Sequence, residues 1–126
     1  MAYKILVVED NSLNLKLFTD LLSLHQYDIV KSSDGIDILN IVLGLDKKPD
    51  LILMDIQLQG VSGIDLIRAF KSNVDTKHIP IIAITAFTFS KEVEQIMKSG
   101  CDKYIAKPVA MAEFYSAIEE FLPTQQ

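Results

Sequence analysis

The chain has 126 residues, the length of one domain, and its 49% apolar content is enough for a packed core and excludes disorder. A net charge of -5 excludes nucleic acid as the main partner, because non-specific DNA binding rests on lysines and arginines that neutralise phosphates. The single cysteine, Cys101, excludes an internal disulfide and fits a reducing compartment; Ile5 to Val8 is too short for a signal-peptide core and no run approaches a membrane span, so a cytoplasmic protein with no membrane insertion is expected.

The first predicted strand is Lys4-Ile5-Leu6-Val7-Val8, and Glu9-Asp10 follow it. A helix from about Ser12 to His25 comes next, with Leu13, Leu17, Leu21 and Leu24 marking one face and Phe18 and Leu22 beside them. Asp28-Ile29-Val30-Lys31 is the weakest strand and is expected at an edge. A second helix runs from about Asp34 to Leu43, with Gly44 as its stop signal. Leu51-Ile52-Leu53-Met54 is the most apolar strand, and Asp55 ends it. Ser62-Gly63-Ile64-Asp65 reads as a capping box opening a third helix, along which Ile64, Ile67 and Phe70 keep helical spacing. Ile81-Ile82-Ala83-Ile84 leads into Thr85-Ala86. Ser90 is expected to cap a fourth helix that Gly100 ends. The last strand, Lys103-Tyr104-Ile105-Ala106, leads into Lys107-Pro108, and Phe114, Ile118 and Phe121 line a fifth helix. Only Pro123 to Gln126 looks frayed.

Continuous rather than alternating apolar runs mean strands buried on both faces, the pattern of a parallel sheet. Five β-α units in strict alternation imply a doubly wound α/β fold with right-handed crossovers and strand order 2-1-3-4-5. In such a sheet the strand ends on one edge converge on a crevice, so Glu9, Asp10, Asp55 and Lys107 are expected to share a site. Two carboxylates about 4 Å apart repel by roughly 4 kcal/mol at an effective dielectric near 20. Three of them need a compensating cation, and a hard divalent ion such as Mg2+ suits an all-oxygen site. Acidic residues after a strand often just cap the next helix, and Glu9 and Asp10 do precede one. Asp55 is followed by Ile56-Gln57-Leu58, which is no helix start, so capping does not account for it. Lys107 at a buried strand end costs desolvation unless an anion meets it. Lys107-Pro108, at a strand-to-helix corner, is a candidate for a cis peptide bond.

These residues at these spacings resemble the receiver domain of two-component response regulators. The resemblance covers residues 1–126 and implies a flavodoxin-like (βα)5 receiver with no effector domain. It implies that Glu9 and Asp10 hold Mg2+, that Asp55 is the phosphoacceptor, and that Gln57 offers its backbone carbonyl to the metal. Thr85 and Ala86 would contact the phosphoryl group, Lys107 would pair with it, Pro108 would shape that corner, and Tyr104 would be the aromatic switch. The phosphoryl donor would be a histidine kinase or a histidine phosphotransferase, and an output protein would read the face formed by the fourth helix, fifth strand and fifth helix. The protein would be a switch that catalyses only its own phosphorylation and dephosphorylation. In place of the proline many receivers carry four residues after the phosphoacceptor, this chain has Gln59, and the loop loses a fixed φ.

Two other classes share parts of the pattern. A haloacid-dehalogenase-type phosphatase also uses an aspartate after a strand, but needs a second aspartate two residues on, where Gln57 has no titratable proton. A flavodoxin would cradle phosphate with a Ser/Thr/Gly loop after the first strand, where Glu9-Asp10-Asn11 would repel it. His25 and His78 have no companion at ligand spacing, Cys101 reads as a packing residue, and Phe87 and Phe89 suit either local packing or a partner surface.

Overall fold

The computed structural model describes residues 2–86 and 90–123. Five strands and five helices alternate in chain order: β1 (Lys4–Val8), α1 (Ser12–Ser23), β2 (Asp28–Ser32), α2 (Ile38–Leu43), β3 (Leu51–Asp55), α3 (Gly63–Ser72), β4 (Ile81–Thr85), α4 (Ser90–Lys98), β5 (Lys103–Ala106) and α5 (Met111–Phe121). The strands form one parallel sheet in the order β2-β1-β3-β4-β5, the arrangement expected from the apolar runs. The edge position of β2 explains its weak signal: only one neighbour and partial cover leave its five residues intermediate or exposed.

Alternate side chains of a strand face opposite sides of the sheet, so a continuous apolar run serves two cores at once. Leu6, Val8, Ile52, Met54 and Ala83 pack with Ile38 and Val42 of α2, Ile67 and Phe70 of α3, and Ile96 of α4. Ile5, Val7, Leu51, Leu53, Ile82, Ile84 and Ile105 pack with Phe18 and Leu22 of α1 and Phe114, Ala117 and Ile118 of α5. Phe18 stacks on Phe114 with ring centroids 5.2 Å apart, tying α1 to α5 across the second core.

Four local expectations need correction. The buried face of α1 is Phe18 and Leu22, flanked by the half-buried Leu15 and Leu21, while Leu13 (78% exposed), Leu17 and Leu24 face outward. Both stripes have helical spacing; contact with the sheet selects one. Helix α1 also stops at Ser23, since Leu24 to Gln26 form a turn in which Gln26 has φ of 63°. Helix α2 begins at Ile38 rather than near Asp34, because Gly35 at φ 72° and Asp37 at φ 58° lie in the left-handed region and cannot continue a right-handed helix. Ser90 is the first residue of α4 rather than its cap. For α3, Ser62 Oγ accepts from the Asp65 N–H at 3.3 Å, and the short Asp65 side chain lies 3.8 Å from Arg68.

Candidate functional site

The carboxyl ends of β1, β3, β4 and β5 meet at one edge of the sheet, and the backbone holds each functional side chain there. The Glu9 N–H donates to the Ser32 carbonyl at 3.0 Å, which extends the β1–β2 ladder and fixes Glu9 just past Val8. Asn11, not an acidic residue, caps α1: its Oδ1 accepts from the Asn14 N–H at 3.0 Å. Glu9 and Asp10 are therefore left available for something other than capping.

Asp55 is the last residue of β3, and both it and Glu9 are 1% exposed. The Ile56 N–H donates to the Ile84 carbonyl, and Asp55 Oδ1 accepts from the Gln57 N–H, both at 3.0 Å. The start of α3 presses against this strand end. A Cβ on Gly63 would lie 2.5 Å from the Asp55 carbonyl oxygen and 2.7 Å from the Ile56 Cα, so only glycine permits the approach.

Lys107 completes the cluster from β5. Its backbone N–H donates to the Thr85 carbonyl at 2.7 Å, and the Lys107-Pro108 peptide bond is cis, as the strand-to-helix corner suggested. Lys107 Nζ lies 3.2 Å from Glu9 Oε1 and 3.3 Å from Asp55 Oδ2. Thr85, fully buried at the end of β4, sits opposite Ala106 in register, and Ala86 follows it at the surface. Tyr104 is 39% exposed on β5. Beside these residues a cavity of about 440 Å3 opens between α1 and the chain after β5, lined by Leu17, Phe18, Ala86, Lys107, Pro108 and Val109 among others.

Burial, the contact with Asp55 and the charge of Asp55 together raise the Glu9 carboxyl from 4.5 to about 7, against the pull of Lys107. Burial would raise Asp55 too, but its contacts with Glu9, the Gln57 amide and Lys107 outweigh that and hold it below the usual carboxylate range. For Lys107, burial favours the neutral amine, and the charges of Asp55 and then Glu9 more than reverse this, so the ammonium is retained. The two carboxyls are thus pushed apart, Glu9 toward its protonated form and Asp55 toward its anion.

Glu9, Asp10 and Asp55 each offer a carboxylate oxygen, all within 4.8 Å of one another. Glu9 Oε1 and Asp55 Oδ2 are buried and, among the described residues, receive no well-aligned hydrogen bond, although Lys107 stands at ion-pair distance. Buried carboxylate oxygens gathered this closely in an all-oxygen cluster fit a hard divalent cation.

Every expected site residue is therefore brought to this edge except Tyr104, which stands within β5, three residues before Lys107, and is partly in solvent. Phe87 and Phe89 lie outside the described residues. Cys101 is a buried free thiol, as a packing residue should be. His25 packs edge-on against Tyr115, with ring centroids 4.4 Å apart. Sequence reasoning missed two features, the Asn11 cap and the Gln57 side chain, whose Oε1 accepts from the Ala86 N–H at 3.1 Å. The first was legible as Asn before an apolar-periodic run; the second joins residues 29 apart and had no local signal.

A five-stranded 2-1-3-4-5 sheet with an acidic cluster and a lysine at its carboxyl edge is the architecture of a phosphoryl-accepting signalling module. The family model for the response regulator receiver domain matches residues 5–119, and the chain belongs to that family. It is 40% identical over 122 residues to the polar-differentiation response regulator DivK of Brucella anthropi, spanning 97% of this chain and 98% of the relative. DivK of Brucella ovis is equally similar. Among solved structures, the receiver domain of a sensor histidine kinase from Pseudomonas aeruginosa, which has a magnesium ion coordinated in its active-site cleft, superposes with a TM-score of 0.87. It is 27% identical and covers 98% of this chain and 100% of that one. The receiver domain of a signal-transduction histidine kinase from Syntrophus aciditrophicus gives the same TM-score at 25% identity, over 99% of this chain and 96% of that one.

Proposed function

We propose that this chain works in the cytoplasm as a phosphorylation-controlled switch, with residues 1–126 forming its receiver domain. Asp55 is its phosphoacceptor. The observation that carries this reading is the meeting of Asp55 with Lys107 and Glu9 at one edge of the sheet, with Asp55 held below the usual carboxylate range. A carboxylate oxygen of Asp55 forms the bond to phosphorus as the P–N bond of a phosphohistidine breaks, and the imidazole of the kinase or phosphotransferase leaves with the electron pair. Glu9, Asp10, Asp55 and the Gln57 backbone carbonyl would hold Mg2+. Bound there, the ion would offset carboxylate charge and stabilise the negative charge of the transferred group. Lys107 offsets the remaining charge: three carboxylates sum to about -3, the divalent ion leaves about -1, and the ammonium brings the site near neutrality.

Phosphorylation replaces a carboxylate with a group of charge near -2 that carries fresh acceptor oxygens. Thr85 donates its hydroxyl and Ala86 its amide to them, Lys107 pairs with the group, and Pro108 holds the corner from which Lys107 projects. Tyr104 turns inward as Thr85 moves, and the α4-β5-α5 face changes shape for an output protein. Similarity to DivK supports a role in cell-cycle or developmental control. As a switch, the protein catalyses only its own phosphorylation and dephosphorylation.

The test is labelling with acetyl phosphate. We expect uptake that depends on a divalent ion and vanishes in Asp55→Asn; acid-stable labelling retained in that variant would put the nucleophile elsewhere.

A further inference from the structure

One side chain ties two strand ends together. Gln57 leaves β3 two residues after Asp55; its backbone N–H donates to Asp55 Oδ1, and its side-chain Oε1 accepts from the Ala86 N–H at 3.1 Å, just past β4. The same residue therefore engages the carboxylate that would take the phosphoryl group and the amide that would donate to one of its oxygens. Ala86 is in turn next to Thr85, whose carbonyl accepts the Lys107 N–H. Holding Ala86 restrains the segment that must move toward a modified Asp55.

A backbone N–H has one proton to donate. The Gln57 carboxamide and a phosphoryl oxygen cannot both take the Ala86 proton in good geometry, so they compete. We propose that the Gln57 side chain is a positioning residue, a latch that occupies the Ala86 amide in the unphosphorylated protein and must let go before the phosphoryl group is fully bound. The proposal rests on Asp55 as phosphoacceptor and adds a determinant of how readily the site closes. The latch is an exposed, neutral contact, so its strength is that of one ordinary hydrogen bond in competition with water. Removing it shifts affinity for the phosphoryl mimic by about two- to tenfold.

The probe is beryllofluoride, titrated at saturating Mg2+ into the wild-type chain, Gln57→Leu and Gln57→Glu, with the Ala86 amide followed by NMR. Leucine keeps the length and removes the acceptor; glutamate keeps the reach and adds charge. We expect Gln57→Leu to bind the mimic about two- to tenfold more tightly and to lose hydrogen-exchange protection at Ala86 before binding. Gln57→Glu should bind it more weakly than wild type. Equal or weaker mimic binding by Gln57→Leu, unchanged Ala86 protection, or a change in separately measured Mg2+ affinity that accounts for the whole gain each overturns the latch while leaving Asp55 as acceptor. Failure of the wild-type chain to bind the mimic at all would overturn the phosphoacceptor reading, and the latch with it.

Discussion

Mg2+ affinity should fall as pH drops through neutrality, and Glu9 is the reason. Without metal its carboxyl is raised to about 7 by burial and by Asp55, so the metal must displace a proton from the pair. At about pH 8 roughly nine-tenths of Glu9 is ionised, and at about pH 6 roughly one-tenth is, so apparent affinity should weaken about tenfold across that interval, or about 1.4 kcal/mol. Stability follows the same linkage. Glu9 favours its protonated form in the fold more than in the unfolded chain, so its contribution is fully present below 4.5 and is lost as pH rises through about 7. Asp55, held low, contributes in the opposite sense: its share is present above its unfolded pKa and is lost only as acid titrates the folded form. The metal-free protein should therefore lose stability on Glu9's account between those limits, and Mg2+ should restore more of it at about pH 8 than at about pH 6. Calorimetric titration and thermal melts at both pH values measure the two effects. Glu9→Gln should bind Mg2+ more weakly at the higher pH and with little pH dependence across the interval. A wild-type affinity that is flat with pH, or a slope that survives in Glu9→Gln, would refute the reasoning.

Gly63→Ala should destabilise the fold by about 1–3 kcal/mol, because a Cβ there meets Asp55 and Ile56 backbone that cannot step aside; urea denaturation with an unchanged midpoint would show that α3 can shift. Asn11→Ala should cost about 1 kcal/mol of stability through loss of the α1 cap yet leave Mg2+ affinity within about twofold, and a large loss of metal binding would tie the cap to the acidic cluster. Thr85→Ala should still label at Asp55 but gain much less affinity for its output partner on beryllofluoride treatment; an undiminished gain in that titration would mean that the coupling runs elsewhere.

The sequence by itself determined the sheet and the meeting of its strand ends. Runs such as Leu51 to Met54, apolar at every position, are stable only with a layer on each face, and strict alternation with helices leaves little choice of winding. That topology suffices to bring Glu9, Asp10, Asp55 and Lys107 to one edge, since each stands at the carboxyl end of a strand. Tertiary structure decided everything that depends on distances between segments remote in the chain. Leu13 and Leu17 share helical spacing with each other just as Phe18 and Leu22 do, and only docking on the sheet chose the latter pair for burial. Left-handed backbone at Gly35 and Asp37 shortened α2 against its sequence pattern. The raised carboxyl of Glu9, the hold of Gln57 on Ala86 and the need for glycine at position 63 arise from approaches of a few ångströms between segments remote in the chain or packed on a strand end. Local periodicity carries no information about such approaches, because they are set by how the layers pack rather than by any one segment's preference.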